Sequence, residues 1–153
     1  RDKFIDGKGE MQMTLNGLFN LGKETGEKMD EGTLQRYLGE TVWFPSAMVS
    51  PYISWHELDE NSARATMNFK GTTGTGTFYF NNGGFFEKFI ALRYMGNAAD
   101  SKRYEWIINA QEHAEFNGIK IPSKMEATWM LESGPWTWLK LEITDIRYNT
   151  EHV

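Results

Sequence analysis

DEGTLQRYLGETVWFPSA, Asp30 to Ala47, is the one segment with a clear helical period, and most of what surrounds it reads as strand. Leu34, Tyr37, Leu38, Thr41 and Val42 recur at i, i+3, i+4, i+7 and i+8, a single stripe along a helix of 3.6 residues per turn. Asp30 is the expected N-cap, and Glu31 adds favourable charge to the first turn. Gly32 and Gly39 each weaken the helix by about 1 kcal/mol relative to alanine. Pro45 ends it, because Phe44, preceding a proline, is pushed toward extended geometry. The resulting rod of about 20 Å is long enough to cross one face of a sheet. A second face carries Arg36, Glu40 and Trp43. That face is either a solvated ion pair beside an aromatic ring or a polar pair turned into a cavity. The order Arg before Glu is the poorer one for helix support, which favours a reason other than helix stability.

Working outward, 153 residues make one domain, large enough to bury about 68–70% of its unfolded surface. Hydrophobic residues make up 40% and aromatics 14%, a composition that folds rather than staying disordered. A net charge of -5 argues against a nucleic-acid surface, which needs clustered Lys and Arg. No run of 18 apolar residues suggests a membrane-spanning helix. With no cysteine there are no disulfides or thiolate sites, and the compartment stays undetermined.

Upstream of the helix, residues 1–8 read as a short strand and turn. Met11, Met13, Leu15, Gly17 and Phe19 then alternate with Gln12, Thr14 and Asn16, the period of a half-buried strand. Downstream, Ile53 and Trp55 share a strand face, and Ala63, Ala65, Met67 and Phe69 alternate with Arg64, Thr66, Asn68 and Lys70. TTGTGTFYF (72–80) and FFEKFIALRYM (85–95) flank Asn81-Asn82-Gly83-Gly84, a hairpin signal. Gly71, Gly74 and Gly76 suggest curvature, or a surface that another group approaches closely. RYEWIINAQEHAEF (103–116) reads as a strand whose end from Ala110 could also be helical. Asn117-Gly118 turns it into IKIPSKMEATWMLE, and Ser133-Gly134-Pro135 turns again into the final strand. About nine strands joined by short turns mean an antiparallel meander.

RYLGETVWFP (36–45), with GIKIPSKMEATW (118–129) and the closing IRYN (146–149), resembles an uncharacterised family of bacterial and archaeal proteins, a domain of unknown function. Its members share a helix reading R-Y-L-x-E-x-x-W-x-P, then W-x-x-x-D-x-x-x-A-x-A, matched here by Trp55, Asp59, Ala63 and Ala65. A G-x-x-I-P turn and an A-x-W strand follow, matched by Gly118, Ile121 and Pro122 and by Ala127 and Trp129. The likeness spans nearly the whole chain and implies no activity. Family chains are longer at the N-terminus, so it implies that 1–153 is the C-terminal part of a longer chain. The strand order is also similar, in pattern alone, to the outer-membrane lipoprotein carriers, half-barrels that bind acyl chains on a helix-plugged concave face.

Little else signals chemistry. His56, His113 and His152 lie on separate segments without metal-ligand spacing, so no metal is expected. No serine sits in G-x-S-x-G, and TTGTGT lacks the lysine and helix of a phosphate loop. No cofactor is expected. The expected fold is mainly β (α+β), a curved antiparallel sheet or half-barrel of about nine strands with one principal helix in its concave face. The expected function is binding of a hydrophobic or amphipathic, lipid-like small molecule between sheet and helix. Arg36, Glu40, Trp43, Trp55, Arg93, Tyr94, Trp106 and Trp129 are the candidate ligand-binding residues, with Met11, Met13, Met67 and Met95 as adaptable apolar surface. An enzyme using the same cavity, with Glu40 as acid or base, and a purely structural module are the alternatives. A homodimer through an edge strand is a further expectation.

Overall fold

The computed structural model describes residues 2–15 and 19–149, and the side chains of 3–11 and 25–149. The expectations for Met13 and for His152 lie outside these. Ten strands form among the described residues, against about nine expected, because residues 11–15 and Phe19, expected in one alternating strand, belong to two. Strands β1 (Asp2–Ile5), β2 (Lys8–Leu15) and β3 (Phe19–Glu24) make an antiparallel three-stranded sheet in the order β1-β2-β3. Strands β4 (Ile53–Asp59), β5 (Ser62–Phe69), β6 (Thr72–Phe80), β7 (Phe86–Tyr94), β8 (Arg103–Phe116), β9 (Ile119–Leu131) and β10 (Gly134–Glu142) form an antiparallel meander in chain order. The meander does not close, and β4 and β10 are its edges. The segment from Ala110 to Phe116, open to a helical reading, is strand throughout. Its two register irregularities near Glu112 bend it without ending it.

Helix α1 spans Glu27–Glu40 and starts three residues before the expected N-cap. Gly26 is the N-cap, at φ 128, a backbone region that glycine reaches without steric cost. Asp30 instead lies within the first turn, 4% exposed, and accepts hydrogen bonds from the Gly9 amide at 2.7 Å and from Lys8 Nζ at 3.0 Å. An acidic side chain that looks like a cap is therefore the tie between the helix and β2. Beyond Glu40 the helix tightens into a 3₁₀ turn over Thr41–Trp43. Pro45 then opens a single-turn helix, α2 (Pro45–Met48), at a first-turn position where its missing N–H costs nothing.

Leu34, Leu38, Thr41 and Val42 are buried as the helical stripe requires, but Tyr37 is 43% exposed. Helix α1 lies chiefly on β6 and β2, with further contact to β7, β1 and β5. Burying leucines such as Leu34 and Leu38 is worth about 1.5–3 kcal/mol each. The core joins these residues to Met67, Phe78, Phe89, Trp106, Ile108, Met125 and Ala127. Its centre is aromatic, with the Phe78 and Phe89 ring centroids 4.7 Å apart and Phe89 edge-on to Trp106 at 6.4 Å.

Of the two glycines in TTGTGT, Gly74 lets the helix come close and Gly76 makes room for the Phe89 ring. A Cβ at Gly74 would stand 3.1 Å from the Gln35 backbone nitrogen and 3.3 Å from Leu34 Cγ. One at Gly76 would stand 2.1 Å from Phe89 Cζ, inside the ring's own volume. Gly76→Ala is therefore expected to lower stability by about 1–3 kcal/mol through overpacking. Urea unfolding should show a lower midpoint at unchanged slope. An unshifted midpoint would mean that Phe89 has room to withdraw.

Candidate functional site

Two runs of paired residues, one on each side of the gap between Gly76 and Ala91, line up across the seven-stranded sheet on the face that carries α1. Trp55 pairs with Ala65, and Ala65 with Gly76. Ala91 pairs with Trp106, Trp106 with Trp129, and Trp129 with Trp136. Small residues occupy the middle, where the helix rests, and tryptophans occupy both flanks. Alternation along each strand produces this, since partners in an antiparallel ladder project to one face.

On the β8–β10 flank, Arg93 lies two residues beyond Ala91 and so shares its face. Its guanidinium carbon stands 4.1 Å from the Trp106 ring centroid and 5.5 Å from that of Trp129. This is cation–π geometry with a desolvated partner, because Trp106 is 2% exposed. Above it is the helix, where a Cβ on Gly32 would come within 3.3 Å of Arg93 Nη2. The indole N–H of Trp106 is buried without a hydrogen-bond partner. Exposure rises along the row to Trp136, at 49%.

The other sequence-derived candidates separate. Arg36 Nε is 3.6 Å from Glu40 Oε1, an i,i+4 pair with side chains 25% and 40% exposed. Such pairs are worth a few tenths of a kcal/mol. The indole N–H of Trp43 donates to the Pro122 carbonyl at 3.0 Å, and the Trp43 carbonyl accepts from the Tyr148 hydroxyl at 2.9 Å. Trp43 thus ties the helix end to β9 and to the C-terminal segment. Trp55 is at the far end of the row, against Phe78 and donating to the Met48 carbonyl at 2.9 Å. Tyr94 turns to the opposite face, where Arg103 stacks on it at 4.0 Å and Lys28 lies at 4.7 Å. Of the eight candidates, Arg93, Trp106 and Trp129 are brought together.

A second locus escaped the sequence reading. The β6–β7 ladder runs only from Thr77↔Ile90 to Phe80↔Phe86. Beyond it, Thr72–Gly76 stay with β5 and Ala91–Tyr94 stay with β8, so the sheet forks. Gln35 of α1 enters the fork, and its Nε2 donates to the Thr75 and Leu92 carbonyls, both at 3.2 Å. A cavity of about 450 Å³ opens there, lined by residues that include Glu31, Gln35, Thr73, Leu92 and Arg103. Arg103 donates to both Glu31 carboxylate oxygens, at 2.6 and 2.7 Å, and to the Leu92 carbonyl at 3.1 Å. The hydrogen bonds to Glu31 raise the Arg103 pKa further above its ordinary value. The one sequence signal was Gln35 itself, a polar residue beside Leu34 on the helix's buried side.

A broader hollow of about 1010 Å³ lies at one end of the meander, between the 59–61 and 81–85 turns. Its walls include Asp59, Asn61, Tyr79 and Lys88, and it is open to solvent. Among the described residues no group of His, Cys, Asp and Glu is placed to hold a metal ion, and no helix is long and apolar enough to cross a membrane.

Residues 1–141 match a family model described as a family of unknown function (DUF6544). No curated protein and no solved structure matches the chain.

Burial raises the Tyr148 pKa above its usual 10.0. The hydroxyl's contribution is therefore complete below about pH 10 and is lost as pH rises through the folded-state pKa. Tyr148→Phe is expected to cost about 1 kcal/mol at neutral pH by removing the bond to the Trp43 carbonyl. The gap to wild type should shrink in strongly alkaline buffer, as read from urea midpoints at both pH values. A constant gap would show that ionisation of Tyr148 is not what alkali acts on.

Proposed function

The chain belongs to that family of unknown function, DUF6544, and from its geometry we propose that it binds an amphipathic small molecule with an acidic head and a hydrocarbon or aromatic body. The body would lie along Trp129 and Trp136, and the head would approach Arg93. One observation carries this reading: a guanidinium packed on two tryptophans whose row continues to a half-exposed Trp136. Apolar rings with a few convergent polar groups are the usual construction of a small-molecule site.

Where α1 crosses β6 and β7 the packing is close, with Leu34 and Leu38 fully buried and Gly74 directly against Leu34. The proposed ligand therefore occupies the β9–β10 flank instead of the centre of the helix–sheet interface. Leu139, 36% exposed and paired with Ala127, extends the apolar strip on the same side of β10. Glu40, held near Arg36, is read as the charge partner of that arginine.

The test is titration of the protein with laurate and with dodecyl phosphate, followed by tryptophan fluorescence and native mass spectrometry. Both probes are expected to bind with saturation. Arg93→Met should weaken them by roughly 10–100-fold, the loss of a hydrogen bond to a charged group. Trp136→Ala, at a half-exposed position, should weaken binding while the melting temperature holds. Absence of saturable binding, or equal binding by both variants, would sink the proposal.

A further inference from the structure

We propose that the fork between β6 and β7 is a second binding site, built for a small neutral molecule bearing hydroxyl groups, such as a sugar or polyol. The central observation is Gln35. Its residue is 3% exposed, and its amide nitrogen is fully used by the Thr75 and Leu92 carbonyls. Its carbonyl oxygen, Oε1, is buried and has no hydrogen-bond partner. A buried acceptor left unsatisfied is costly, and native structures keep few of them without a reason. This one belongs to a residue lining a cavity of about 450 Å³.

The strands supply the complementary groups. The N–H and C=O of one residue in a strand point to the same side, so the amides of Thr75 and Leu92 face the fork with their carbonyls. In a closed ladder these two residues would bond each other directly, and here Gln35 stands between their carbonyls. The fork therefore presents one unsatisfied acceptor beside two strand N–H donors. A hydroxyl group both donates and accepts, and can meet both kinds of partner at once.

Charge narrows the ligand class. Arg103 and Glu31 neutralise each other through a two-bond ion pair, leaving no net charge to select an ion. Thr73 and Thr77 add hydroxyl-bearing side chains to the wall, and Ile90 and Leu92 give it an apolar side. Threonines beside aliphatic side chains suit a molecule with C–H surface and several hydroxyls, and suit neither a carboxylate nor an ammonium. The cavity wall includes Gly76 and Ala91 but none of Arg93, Trp106, Trp129 and Trp136, so its polar groups are separate from those of the tryptophan site.

The experiment is saturation-transfer NMR and calorimetry on the full chain with glucose, trehalose and glycerol, with acetate and methylammonium as charged comparators. The expected result is saturable binding of at least one neutral hydroxylated probe, without displacement by either ion. Thr73→Val, at an exposed wall position, should weaken it by about tenfold, the scale of one neutral hydrogen bond. Gln35→Met should abolish it, and Thr73→Val keeps the proposal testable if that variant fails to fold. The proposal is overturned by no saturable binding of any hydroxylated probe, by preferential binding of either ion, or by binding unchanged in the variants. It is equally overturned by a crystal structure grown with the probes in which a lone water occupies Gln35 Oε1.

Discussion

The close approach of α1 to β6 is the constraint on which the rest of the structure depends. A helix axis normally stands off a sheet by the depth of two side-chain layers. Here Gly74 removes one layer at the contact, and the Gln35 backbone nitrogen would lie only 3.1 Å from a Cβ placed there. Gly76 clears space for the Phe89 ring instead, which fills the gap between helix and sheet. The Leu34 and Leu38 side chains then reach zero exposure against Phe78 and Phe89. The helix carries no side-chain N-cap hydrogen bond and contains two interior glycines. Its own propensity is therefore weak, and tertiary packing supplies most of its stability.

That approach has two consequences for the sheet. It drives Gln35 between β6 and β7, where the amide replaces ladder bonds that the strands no longer make with each other. It also fixes which part of the tryptophan row is covered. Ala65, Gly76 and Ala91 lie in the middle of the row, with Trp55 on one side and Trp106, Trp129 and Trp136 on the other. The second sheet is tied to the same helix through Asp30, so the helix is the element common to both. A change in how α1 sits would be felt at the fork, at the Arg93 stack and at β2 together.

Much of the fold was legible in the sequence because it rests on short-range periodicity. The alternation in 62–69, the strand at 72–80, the Asn81–Gly84 turn and the helical stripe at Leu34 and Leu38 are local patterns, and each became the element it suggested, while Thr41 and Val42 continue the buried stripe in the 3₁₀ turn. The helix starts before Asp30, which suits a cap by type, because the Asp30 carboxylate is taken by the Gly9 amide, 21 residues away. Tyr37 matched the stripe in spacing but faces solvent. Residue type marks the eight candidates, and residue type does not say which strand face a side chain takes. Arg93 and Tyr94 are neighbours in the chain and lie on opposite faces, so at most one of them joins Trp106.

By itself, the sequence determined a mainly β chain with one principal helix and an acidic surface without cysteine, since composition and periods of 2 and 3.6 carry that information. It also marked the glycine–threonine strand as a place of either curvature or close approach. Only the tertiary structure decided what approached it. Gln35 meets Thr75 and Leu92 across 40 and 57 residues of chain, and Arg103 meets Glu31 across 72. No local pattern encodes such meetings. They follow from where a helix comes to rest on a sheet, and that is settled by packing of the whole core.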